Sequence, residues 1–150
     1  MPSGTALSYS FIMLLTGIGI PVMAALNAQL GIRIGSPAAA SVILFIAALM
    51  IALIATAFVG LPELAKVRAA PPYLFFSGAF VAFYVLSITW IGPRLGIGNA
   101  VFLVLLGQIV AAAMIDHFGM FGVPRSPLTF LRIAGMLVMA TGVLMARKIA

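Results

Sequence analysis

The stretch Ile34–Pro62, IGSPAAASVILFIAALMIALIATAFVGLP, contains no Asp, Glu, Lys or Arg. A hydrocarbon core of ~30 Å is crossed by about 20 consecutive apolar residues in a helix. In lipid such a helix satisfies its own backbone N–H and C=O groups, which an open strand cannot do. The run therefore predicts a membrane-spanning helix over about 38–60, opened by Pro37 at a position where a missing N–H is harmless. The same pattern recurs on both sides. Met1–Ile32, Ala69–Pro93 and Leu95–Ile115 are also free of those four residue types, and Leu128–Ala146 holds only Arg132. Arg132 lies close enough to one end of its run for its side chain to reach the interface. The expectation is an all-α polytopic membrane protein, a single domain over 1–150, with five spans at about 9–31, 38–60, 72–92, 97–117 and 128–146.

Composition agrees. Hydrophobic residues make up 65% of the chain and charged residues 7%, against roughly 25% charged in soluble domains. A soluble fold of 150 residues could not hide that apolar surface. This excludes a soluble enzyme, a disordered chain and a disulfide scaffold. Cysteine is absent, which removes thiolate nucleophiles and Cys-based metal sites. No enzymatic activity, cofactor or metal is expected. The net charge of +6 would suggest nucleic acid in a soluble protein. Here the basic residues stand singly between apolar runs, as interface anchors and topology signals beside a lipid bilayer. The first run lacks the basic residues that precede a signal peptide's apolar core, so it is expected to be a retained helix.

Short links carry breaker residues: Gly31 to Pro37, and Gly92 to Gly96. Longer ones are Leu61–Pro71 and Phe118–Pro127, and Pro72 and Pro127 suit helix first turns. With five spans, the side facing the C-terminus carries Arg33, Arg94, Arg147 and Lys148. The opposite side carries Lys66, Arg68, Arg125 and Arg132. Loop charge orients a membrane protein, and four against four leaves two readings open. Either one loop is misassigned, or the chain inserts both ways. The second would let two copies supply the inverted repeats from which many transporters are built, as a twofold dimer.

Polar residues at membrane depth are costly and mark function. Gln108 sits at the midpoint of the fourth span, beside Gly107, where it can bind a solute or bond another helix. Asn27 follows Pro21 by six residues, on a helix whose ladder the proline interrupts. It can face the pathway or bond backbone in the following turn. Tyr84 lies mid-span, where its hydroxyl needs a partner. Trp90 and Tyr73 stand at the ends of the third span, as aromatic-belt residues or, for Trp90, at a pathway mouth. Asn99 is expected to cap the fourth span. Asp116 and His117 form the one acid–imidazole group near a span. Asp116 should pair with Arg125 or Arg132, the other option being a proton relay through Asp116 and His117. Gly107, Gly135 and Gly142 are expected at helix contacts, where small residues let backbones approach.

Several of these residues also carry a resemblance. Ala25-Leu26-Asn27-Ala28-Gln29-Leu30-Gly31 with Gly35-Ser36-Pro37, then Pro93-Arg94-Leu95-Gly96, Leu106-Gly107-Gln108, Ile115-Asp116-His117-Phe118-Gly119, Pro124-Arg125-Ser126-Pro127-Leu128 and Arg132-Ile133-Ala134-Gly135 resemble the small YdcZ-type bacterial inner-membrane proteins. The chain departs from them where Val22 and Met23 follow Pro21, a place where the family often has Gln. The resemblance implies a member of the drug/metabolite transporter superfamily in a bacterial inner membrane, with five helices. It also implies an orientation-ambiguous dimer, either an antiparallel homodimer or a pair with a homologous subunit of opposite orientation, and exporter function. The expected activity is transport of a small organic solute by alternating access, with Gln108, Asn27, Tyr84 and Trp90 lining the path. The first span has no acid to hold a cationic drug, which favours a neutral or anionic solute. A passive channel and a non-transporting accessory subunit are the alternatives.

Overall fold

The computed structural model describes residues 3–146, with side chains from 5. Arg147 and Lys148, which enter the topology count, lie outside the described residues. All regular structure among those residues is helical: α1 (Ser3–Ile34), α2 (Pro37–Val59), α3 (Leu64–Ala69), α4 (Ser77–Leu95), α5 (Ile97–Phe118) and α6 (Phe130–Ala146). Short 3₁₀ turns at Pro72–Phe76 and Met120–Gly122 precede α4 and follow α5. The chain divides into two units, Met1–Arg94 and Leu95–Ala150.

Four segments are long and apolar enough to cross a membrane: Thr5–Ile34, Pro37–Val59, Pro72–Leu95 and Ile97–Phe118. The fifth expected span is shorter than predicted. α6 has 17 residues and begins at Phe130, leaving Pro127 and Leu128 outside it. Large apolar side chains point outward throughout, as at Leu26, Phe58 and Phe80. Apart from Asn27, the buried positions of the first unit are small or β-branched: Ala24, Ala28, Gly31, Ala40, Ser41, Val85, Ile88, Thr89 and Gly92. That inversion of the soluble pattern suits helices that meet through small residues with lipid outside.

In the first unit, α1 and α2 pack together across a two-residue turn whose chemistry is local. Gly35 takes φ +72°, a left-handed conformation that glycine adopts without steric cost. Its N–H donates to Ile32 O (3.3 Å), and the Ser36 N–H donates to Gly31 O (3.0 Å), which closes α1 in a Schellman motif. Ser36 Oγ then accepts from the Ala39 N–H at 3.2 Å, and Pro37 opens α2. The link is tighter than expected, because α1 runs on through Arg33. At Gly31 a Cβ would lie 3.2 Å from Pro37 Cα and 3.3 Å from Thr89 Cγ2. Absence of a side chain there brings the end of α1, the start of α2 and the last turns of α4 together.

In the second unit, Gly96 (φ +87°) occupies the N-cap of α5. Asn99 is therefore not the cap. It lies inside the first turn, where its amide donates to Leu95 O at 3.1 Å. α5 ends on Gly119 in a left-handed conformation and packs against α6. Thr129 opens α6, its Oγ1 accepting from the Arg132 N–H at 3.2 Å and its carbonyl from the Ile133 N–H at 3.0 Å.

Candidate functional site

In the first unit, Asn27 is 4% exposed and Thr89 1%. Asn27 Nδ2 donates to Thr89 Oγ1 at 2.7 Å, and Thr89 Oγ1 donates to Val85 O, also at 2.7 Å. This chain of bonds ties α1 to α4 through a buried polar pair. The partner of Asn27 is thus on another helix and not in the adjoining turn. Asn27 also lines a 290 Å³ groove between α1 and α2, with Leu30 from α1 and Ile43 from α2. Sequence reasoning missed Thr89. A threonine in a helix returns its hydroxyl to its own preceding turn, so nothing in the sequence marks it as an interhelical acceptor.

Trp90, next to Thr89, lines a 490 Å³ cleft with Gly35, Ser36, Pro37 and Leu86. A neighbouring 370 Å³ cleft shares Gly35 and Pro37 and is lined by Gly31, Thr89 and Arg94. The Arg94 guanidinium carbon stands 4.8 Å from the Trp90 ring centroid, and Arg94 Nη1 donates to Trp90 O. Trp90 therefore borders the clefts formed by the α1–α2 turn and the end of α4. Tyr84 lies six residues before it on α4. Its hydroxyl is buried and has no hydrogen-bond partner among the described residues.

In the second unit, Gln108 is exposed midway along α5, and its amide makes no hydrogen bond to any described residue. A Cβ at Gly107, Gly135 or Gly142 would meet nothing within 4 Å, so these glycines mark no close approach inside the chain. Asp116 Oδ2 lies 2.5 Å from Arg132 Nη2. Arg132 Nη1 also donates to Ser126 O and Oγ at 3.3 Å each, and the Ser126 N–H donates to Asp116 O at 2.8 Å. Arg125 turns elsewhere, its Nε donating to His117 O at 3.0 Å. The Leu128 N–H donates to His117 Nδ1 at 3.1 Å. Together these contacts strap the residues before α6 onto the end of α5. Among the described residues no three of His, Asp and Glu come together to hold a metal.

The arrangement provides apolar outer helix faces, one unpartnered amide at mid-helix, a mouth lined by an aromatic residue, and no cluster of acid–base groups beyond the Asp116–Arg132 pair. No curated protein and no solved structure matches the chain significantly. The chain belongs to the family described as "Putative inner membrane exporter, YdcZ", whose model it matches over residues 8–145.

Proposed function

We propose that the chain is a transporter subunit that exports or exchanges a small organic solute, working by alternating access as a dual-topology, antiparallel dimer. α6 completes a fifth span in this reading. Its 17 residues extend about 26 Å at ~1.5 Å each, and tilt and local thinning accommodate such mismatch at modest cost. The observation that carries the proposal is Gln108. An exposed amide at mid-helix, without a partner among the described residues, is expensive in lipid and calls for a second copy, a solute or both. Transporters built of inverted repeats bind at that depth. In an antiparallel pair, twofold symmetry brings two Gln108 side chains to similar depth, offering four N–H donors and two oxygens. In the first unit, Asn27, Tyr84 and Trp90 are the proposed path residues, the Tyr84 hydroxyl, unpartnered among the described residues, being a group suited to a passing solute.

The Asn27–Thr89 bond favours a second reading, since it shows an amide of this chain acting as interhelical glue. Gln108→Leu separates the two. Solutes would first be identified by thermal shift of the purified protein, because binding to the folded form stabilises it. Dimer fraction and flux of those solutes would then be measured on one preparation in liposomes. A solute role predicts flux reduced about fivefold or more, for one lost hydrogen bond of ~1 kcal/mol, with the dimer intact. Unchanged flux with a weakened dimer would assign Gln108 to assembly.

A further inference from the structure

We infer that the mouth formed by Trp90 and Arg94 is an anion-selective vestibule, and that the solute is an amphipathic organic anion. The inference rests on the transport reading above and names the class of its solute. Trp90 lines a largely apolar cleft with Pro37, Ala38 and Leu86, to which Ser36 and Ser87 add two hydroxyls. The adjoining cleft, which shares Gly35 and Pro37, is lined by Arg94. Guanidinium and indole are stacked at 4.8 Å, so one continuous surface carries an apolar chamber on one side and a fixed positive charge on the other. The volumes, 490 and 370 Å³, fall in the range of small-molecule sites.

The charge at Arg94 is not neutralised. The chain has two acids, and both are committed elsewhere: Glu63 to Lys66 at 3.2 Å and Asp116 to Arg132 at 2.5 Å. Arg94 has no carboxylate partner among the described residues. A guanidinium has five N–H donors, and the bond to Trp90 O uses only one. With its carbon over the indole and one donor on Trp90 O, the guanidinium keeps donors for a carboxylate, sulfonate or phosphate. A second positive charge, Arg33, ends α1 two residues before Gly35. An aromatic or alkyl body against Trp90 with its anionic group at Arg94 satisfies both clefts. A cation would meet Arg94 and no acid among the lining residues.

Trp90 is the one tryptophan of the chain, so intrinsic fluorescence reports on this mouth directly. The native chain in nanodiscs of zwitterionic lipid would be titrated with phenylpropionate, phenylpropanol and phenylpropylamine, which share a ring and differ in charge. The expected result is a saturable change in Trp90 emission, with phenylpropionate bound about tenfold more tightly than the amine, the worth of one charge-assisted hydrogen bond. Arg94→Gln should abolish that preference and Arg94→Lys should keep it. Arg94→Glu should reverse it, a gain that misfolding cannot imitate. Equal or tighter binding of the amine to the native chain, or an undiminished preference in Arg94→Gln, would overturn the inference. Repeating the titration with phosphatidylglycerol in the disc separates a solute from a lipid headgroup. Displacement of the lipid effect by phenylpropionate supports the solute site, whereas an emission change that phenylpropionate cannot displace overturns it in favour of lipid. Intact binding without flux of phenylpropionate in liposomes would sink the transport reading while the anion site stands.

Discussion

Thr89 is the residue on which the packing of the first unit turns. It accepts from Asn27, donates to Val85 O, and presents its methyl to Gly31. Thr89→Val keeps the shape and removes the acceptor, leaving a buried amide N–H of Asn27 without its partner. The expected cost is about 1–3 kcal/mol, read as a lowered thermal midpoint in detergent. Asn27→Leu combined with Thr89→Val should recover part of that loss, since no buried polar group is then left over. Gly31→Ala pushes a Cβ to 3.2 Å from backbone at Pro37, where no flexible side chain can give way. Overpacking of this kind typically costs about 1–3 kcal/mol, and the same substitution at Gly107, where nothing lies within 4 Å, should leave the monomer's stability nearly unchanged. Asn27 and Gln108 were legible in the sequence because polar side chains at membrane depth stand out. Thr89 and the close approach at Gly31 were not, because a helical threonine looks self-satisfied and a glycine before a Gly-Ser-Pro turn looks like part of that turn.

Elements were legible where their ends are set by local chemistry. Gly35-Ser36-Pro37 places a left-handed residue, a capping hydroxyl and a helix-opening proline in sequence, and α2 starts at Pro37 as read. Ser36→Ala should therefore cost about 1 kcal/mol and loosen the α1–α2 hairpin, seen as faster amide exchange at Ala39. The start of α6 was misread because its cause is tertiary. The Leu128 N–H is engaged by His117 Nδ1 and Arg132 reaches back to Ser126, so the chain stays extended past Pro127 and the cap falls to Thr129. Asn99 was misread as a cap because Gly96 breaks the helix three residues earlier. The Asp116–Arg132 pair is about a third exposed on each side, so solvent screening limits it. Asp116→Asn should cost about 1 kcal/mol or less, and exchanging the two charges together should restore part of the loss. An Asp116→Asn chain that keeps its stability and loses all pH dependence of flux would instead make Asp116 the proton carrier.

At the scale of the molecule, the sequence made the membrane class legible through charge-free runs alone. It left the assembly open, since Lys and Arg balance across the expected loops and none of the described residues answers Gln108. In the proposed reading, a chain whose expected loops carry balanced charge and whose Gln108 amide has no partner among the described residues functions as two oppositely inserted copies. Because the chain has no cysteine, one introduced thiol reports orientation without background. Leu61→Cys places it in the exposed link after α2. Labelling intact cells with a membrane-impermeant maleimide, then repeating after permeabilisation, gives the fraction of chains with that link outside. The account predicts that about half are labelled in intact cells and all after permeabilisation, with two added lysines beside Lys148 driving the population to one orientation. Labelling of all chains, or of none, in intact cells would contradict the antiparallel homodimer.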